Sequence, residues 1–155
     1  MLFEGPLTPF DWGQKDCRPK QKNACTLAKV EHLVARYHPA VLVLETLPRG
    51  ARQTPRLRAL YLALRHLAAS EDIAIIEYSR GAIRSSFSPL GARTKYEIAQ
   101  VIARQIPAFH HRLPRLRSKC WMSLDLRQSL FDAAALGLTY YMGLSSTPKR
   151  APLGE

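Results

Sequence analysis

The chain has 155 residues, the size of one domain, and 46% of them are hydrophobic, enough to bury a core. Its 23 Lys and Arg against 12 Asp and Glu leave a formal charge of +11, with a pI near 10.1. That surplus points to a polyanionic partner, because each phosphate neutralised releases condensed counterions, and arginine's fork suits phosphate oxygens. A membrane surface is disfavoured: the basic residues are spread over several segments, and no apolar run approaches the ~20 residues of a span.

Cys17, Cys25 and Cys120 have no CxxC spacing and are odd in number, which argues against a zinc site and against a disulfide framework. No basic region followed by an apolar stretch opens the sequence, so a cytoplasmic protein is expected.

In chain order, Met1 to Pro6 reads as a strand running into a turn, and Thr8 to about Cys17 as its hairpin partner, with Phe10 and Trp12 on one face. From Lys22 the period becomes helical, with Leu27, Val30, Val34 and Tyr37 at threes and fours until Pro39. Val41-Leu42-Val43-Leu44 then suggests a strand covered on both faces, ending on Glu45. A loop rich in Pro, Gly and Arg leads to an amphipathic helix from Pro55 to Ser70, and Ile73 to Tyr78 reads as another strand.

A short helix around Gly81 to Ser86 and a Ser/Pro/Gly loop precede Thr94-Lys95-Tyr96-Glu97, which has capping-box spacing. A helix therefore starts there and buries Ile98, Val101 and Ile102. A basic loop, His110 to Lys119, precedes a last helix over about Arg127 to Met142. The order ββ-α-β-α-β-(α)-α-α is an α/β pattern, with one domain over 1–144 and a frayed tail over 145–155.

Two acids stand where apolar elements leave little water. Glu45 ends the best strand, and Asp132 lies inside Leu130-Phe131-Asp132-Ala133-Ala134-Ala135-Leu136. An ionised carboxylate there is costly unless it is paired or binds a cation. Metal-dependent phosphodiester cleavage needs such groups, converging on two divalent ions ~4 Å apart. Each acid alone reads equally as a solvated strand end or a helix-dipole partner.

The run Tyr37-His38-Pro39-Ala40 through Glu45 resembles the central strand and catalytic glutamate of RuvC-type Holliday-junction resolvases. Glu77-Tyr78-Ser79 resembles the next strand end. Gly91-Ala92-Arg93-Thr94-Lys95 is similar to the family's Gly-x-x-x-Lys segment, and Phe131 to Leu136 to its Asp-Ala-rich helix. The likeness covers nearly the whole chain in order. It implies an RNase H-like fold with a mixed sheet flanked by helices, Mg²⁺- or Mn²⁺-dependent endonuclease chemistry, branched DNA as substrate, and a homodimer. It would make Glu45 and Asp132 metal ligands and place Lys95 at the scissile phosphate. Arg49, Arg52, Arg56, Arg93 and Lys95 would contact the nucleic-acid backbone.

The pattern breaks in two places. Met1 to Gly5 already matches the family's second strand, so the first strand and its aspartate have no counterpart, and neither Asp11 nor Asp16 replaces it. The family's last helix carries Asp-x-x-Asp, about one turn or ~4.5 Å apart, whereas three before Asp132 stands Ser129. Asp125, seven residues upstream, would lie ~10.5 Å along a continuous helix, so it is a third metal candidate only if the chain folds back there. An N-terminally truncated domain without nuclease activity is the expectation. A misassigned start is the favoured cause, with a degraded remnant, or a gap filled by another segment or another chain, as the alternatives. The alternatives are a non-catalytic nucleic-acid-binding module and a basic structural or phage-encoded accessory protein. His110 and His111 are weaker candidates for touching DNA.

Overall fold

The computed structural model describes residues 1–13, 17, 21–47, 54–115 and 127–146. In chain order these form β1 (Leu2–Gly5), β2 (Thr8–Asp11), α1 (Lys22–Tyr37), β3 (Val41–Glu45), α2 (Pro55–Ser70), β4 (Ala74–Tyr78), α3 (Arg80–Phe87), α4 (Lys95–Gln105) and α5 (Gln128–Ser146). The chain divides into two compact units, Lys15–Arg80 and Met1–Gln14 with Gly81–Glu155.

In the first unit, α1 ends where His38 turns left-handed (φ 44°) and its N–H closes on Val34 O at 2.8 Å. Pro39 follows and cannot continue the helix. Thr54 caps α2, accepting from Leu57 N, and Pro55 takes the first turn, where a missing N–H costs nothing. β3 and β4 pair in parallel, with Leu42 opposite Ile75 and Glu45 opposite Tyr78. Val34, Ala68 and Ile73 form the small core, and Leu42 and Ile75 pack against it.

The sequence promises full cover on both faces of β3, yet all five of its residues are only half-buried. Among the described residues this sheet has two strands, and side chains alternate between its faces. Leu42 turns toward the core residues of α1 and α2, while Val41 and Val43 lie on the other face.

Cys17 and Cys25 are joined in a disulfide, with Cα atoms 5.9 Å apart, against the expectation from cysteine count. An odd total forbids only complete pairing. The two cysteines are eight residues apart in the chain.

In the second unit, β1 and β2 form an antiparallel hairpin with Leu2 opposite Asp11 and Gly5 opposite Thr8, its register shifted twice. β2 stops at Asp11 rather than near Cys17. The next residue, Trp12, lies edge-on to Phe109 with ring centroids 5.2 Å apart. Phe87, Phe109, Phe131 and Ile102 are the largest fully buried side chains, gathering α3, α4 and α5.

Thr94 builds the expected capping box. Its hydroxyl accepts from Glu97 N at 3.2 Å, and Glu97 Oε2 accepts from Thr94 N at 2.8 Å. α4 buries Ile98, Val101 and Ile102 as its period predicts, together with Ala99 and Ala103. Where a loop is expected from His110, a 3₁₀ helix runs over Pro107–Arg112, and residues 116–119 lie outside the described residues. α5 extends one turn beyond the expected Met142, and most of the expected tail lies outside the described residues.

Candidate functional site

Glu45 is placed by the last rung of the parallel pair, and the chain beyond it is held by Thr46 N donating to Tyr78 O at 2.9 Å. Tyr61 of α2 donates its hydroxyl to the Glu45 carbonyl at 2.5 Å. The same Tyr61 hydroxyl is held above its ordinary pKa, first by burial and then by the charges of Glu45 and Glu77, so it stays a donor. The Glu45 carboxylate accepts from Arg80 Nε at 2.5 Å. Next along β4, Glu77 is paired with Arg65 of α2 at 2.6 Å.

Asp132 sits in the second turn of α5. Its Oδ1 accepts from Gln128 Nε2 at 3.0 Å, one helical turn back, and its Oδ2 from Lys95 Nζ at 2.5 Å. Lys95 opens α4, so the Thr94 cap that fixes the start of α4 also fixes where the ammonium reaches from. Both side chains of the pair are more than a third exposed, open enough for a solvated ligand to approach.

Of the residues singled out in the sequence, the structure thus brings Lys95 onto Asp132, and it sets Arg80, which sequence reasoning passed over, onto Glu45. Arg56 is bound to Asn23 of α1 through its guanidinium at 3.2 Å and through its carbonyl at 2.7 Å. The backbone N–H of Arg93 donates to Glu97 Oε2 at 2.8 Å. Arg49, Arg52 and Asp125 lie outside the described residues.

Gln128 was legible as the i−4 neighbour of Asp132 on a helix. Arg80 was legible only with the register in hand, because pairing Glu45 with Tyr78 brings a residue two places later within reach.

A Mg²⁺ or Mn²⁺ pair calls for several converging carboxylates with oxygens to spare. Among the described residues no three His, Cys, Asp or Glu side chains gather to hold a metal, and two of the three expected ligands, Glu45 and Asp132, each carry a cationic partner. An arginine in contact with a carboxylate stays charged at any ordinary pH. Arg80 at Glu45 and Lys95 at Asp132 thus stand beside the carboxylates that a divalent ion would need.

Among the described residues no helix is long and apolar enough to cross a membrane. The sequence matches no protein-family model and no curated protein. Among solved structures it is similar to that of Thermus thermophilus RuvC, with a TM-score of 0.59 and 18% identity over 84% of this chain and 75% of that one. It is similar also to T. thermophilus RuvC in complex with Holliday junction substrate, with a TM-score of 0.58 and 15% identity over the same shares. At those identities the likeness establishes the fold: α/β, RuvC-type and RNase H-like, with small sheets flanked by helices.

Proposed function

We propose that this chain is a RuvC-like protein that binds branched DNA, and that residues 1–155 bind it without metal-dependent cleavage. The observation that carries the second half is the pairing of Glu45 and Asp132, the two expected metal ligands among the described residues, with Arg80 and Lys95. The first half is supported by the formal charge of +11 and by the fold shared with a protein solved in complex with Holliday junction substrate. In this reading Arg93, Lys95 and Arg56, with Arg49 and Arg52, contact the phosphate backbone, which positions the protein without reading base sequence. Two copies on one two-fold junction are the expected assembly, which light scattering with and without DNA would measure.

The competing reading is Mg²⁺- or Mn²⁺-dependent cleavage. A lysine beside an aspartate favours it, since Nζ would sit close to a phosphate bound at Asp132. One experiment separates them: a labelled four-way junction and a linear duplex are titrated with the chain by fluorescence anisotropy, then incubated with Mn²⁺ and resolved on a denaturing gel. Tighter binding of the junction with no new bands is expected. Junction cleavage that needs both Mn²⁺ and Asp132 would overturn the non-cleaving reading, and equal weak binding of both DNAs would remove the branched-DNA half.

A further inference from the structure

One stretch of the chain has lost its acids altogether. Between Glu97 and Asp125, residues 98–124 contain no Asp or Glu but carry Arg104, Arg112, Arg115, Arg117 and Lys119, with His110 and His111. In the described part of that stretch, Gln100, Ala103 and Arg104 of α4 and His110 and Leu113 beyond it line an open groove of about 320 Å³. Of the lining residues, Ala103 is buried in the core. Arg104 and His110 line the groove and are exposed, and His111 and Arg112, exposed as well, follow His110 in the chain.

The two arginines are held for an outside partner. Arg104 donates Nε to the Gln100 carbonyl one turn back, and its terminal nitrogens meet no partner among the described residues. Arg112 donates Nε to His111 Nε2 at 3.1 Å, again with its terminal nitrogens unmatched among the described residues. Two guanidinium groups, each with its Nε turned to a neighbour in the chain and both on a stretch without carboxylates, offer terminal N–H donors to phosphate oxygens. A duplex arm places phosphates at regular spacing along such a stretch, whereas a carboxylate ligand would fill only one fork.

We infer that Arg104 and Arg112, with His110 lining the groove, form a further phosphate-binding surface for a DNA arm, beyond the contacts named for the proposed function. The inference rests on that reading, since it takes DNA as the partner. Each arginine that neutralises one phosphate adds about one unit to the slope of log affinity against log salt.

The test measures junction binding by anisotropy across a salt series for the full chain, Arg104→Gln, Arg112→Gln, the double variant and Arg36→Gln. Arg36 is exposed on α1 and stacks on Tyr37, so it matches the charge change elsewhere. The slope is expected to fall by about one unit in each single variant and by about two in the double, with Arg36→Gln near the parent. Arg104→Lys and Arg112→Lys keep the slope if charge at this surface is what counts, which also separates lost contact from lost folding. If the Gln variants behave like Arg36→Gln while the parent binds junction DNA, the surface is refuted and the proposed function stands. If the parent itself binds no DNA, both fall together.

Discussion

Gly137 offers the sharpest check on how the hairpin is fastened within its unit. It lies in the interior of α5, where replacing glycine by alanine ordinarily stabilises a helix by about 1 kcal/mol. Here an added Cβ would stand 2.6 Å from Cε2 and 2.9 Å from Cδ2 of Phe3 on β1. The Phe3 ring would have to leave its place beside Tyr141, whose ring centroid is 6.2 Å away. Overpacking of this kind costs roughly 1–3 kcal/mol, which exceeds the propensity gain and leaves Gly137→Ala destabilising by about 1 kcal/mol.

Phe3→Leu withdraws the ring edge and opens the space. In that background Gly137→Ala should stabilise by about 1 kcal/mol, so the sign reverses and the coupling is about 2 kcal/mol. Urea titrations of the four proteins, followed by far-UV circular dichroism, measure this through the midpoint and slope. An alanine effect of the same sign in both backgrounds would show that Phe3 does not lie over Gly137.

The Lys95–Asp132 pair is more than a third exposed on both sides, so solvent screening holds its coupling to about 0.5–1 kcal/mol in a Lys95→Met, Asp132→Asn double-mutant cycle. A much larger coupling, or one that changes on adding Mg²⁺, would contradict a simple ion pair. Thr94→Ala should cost about 1 kcal/mol by removing the α4 cap, read as a shift in urea midpoint. The Glu97 carboxyl of the same box is held below its ordinary value of 4.5, first by the Arg93 N–H and then by the Thr94 N–H. Its contribution is therefore complete above pH 4.5 and is lost as the pH falls through the lowered value, a loss that Glu97→Gln should abolish in an acid titration of stability. Reducing Cys17–Cys25 frees a short loop and should lower stability by about 2 kcal/mol, whereas no change in the melting midpoint on adding dithiothreitol would speak against the bond.

The elements were legible where local chemistry decides them. Pro55, Thr94 and Glu97 mark helix starts by which backbone N–H groups they lack or satisfy, and the observed boundaries of α2 and α4 fall there. The period of Ile98, Val101 and Ile102 fixed the buried face of α4 for the same reason. Long-range facts were less legible. Nothing local told that β2 would stop at Asp11, because that depends on Trp12 meeting Phe109 nearly a hundred residues on. Nor did the aliphatic run of β3 reveal half-burial, since burial is set by how many layers cover a strand and not by the strand's own side chains. Glu45 and Asp132 were recognisable as carboxylates in need of a partner, but the partners were not. Gln128 follows from helix spacing, while Arg80 and Lys95 come from other elements.

The same surplus of positive charge bears on both halves of the functional reading. An arginine-rich chain with isolated acids at element ends resembles a nuclease, because both phosphate and divalent metal enter into that chemistry. Yet with nearly two basic side chains for each acidic one, a carboxylate at an element end meets a guanidinium or ammonium more readily than another carboxylate. Glu45, Glu77 and Asp132 each do so, through Arg80, Arg65 and Lys95. At each of these carboxylates a divalent ion would have to displace a tethered cation. A phosphate arriving at the same place meets the opposite balance, since Arg80 and Lys95 can turn from their carboxylates toward it. In the proposed reading, the residue set that weakens the case for cleavage is thus the one that would meet a phosphate.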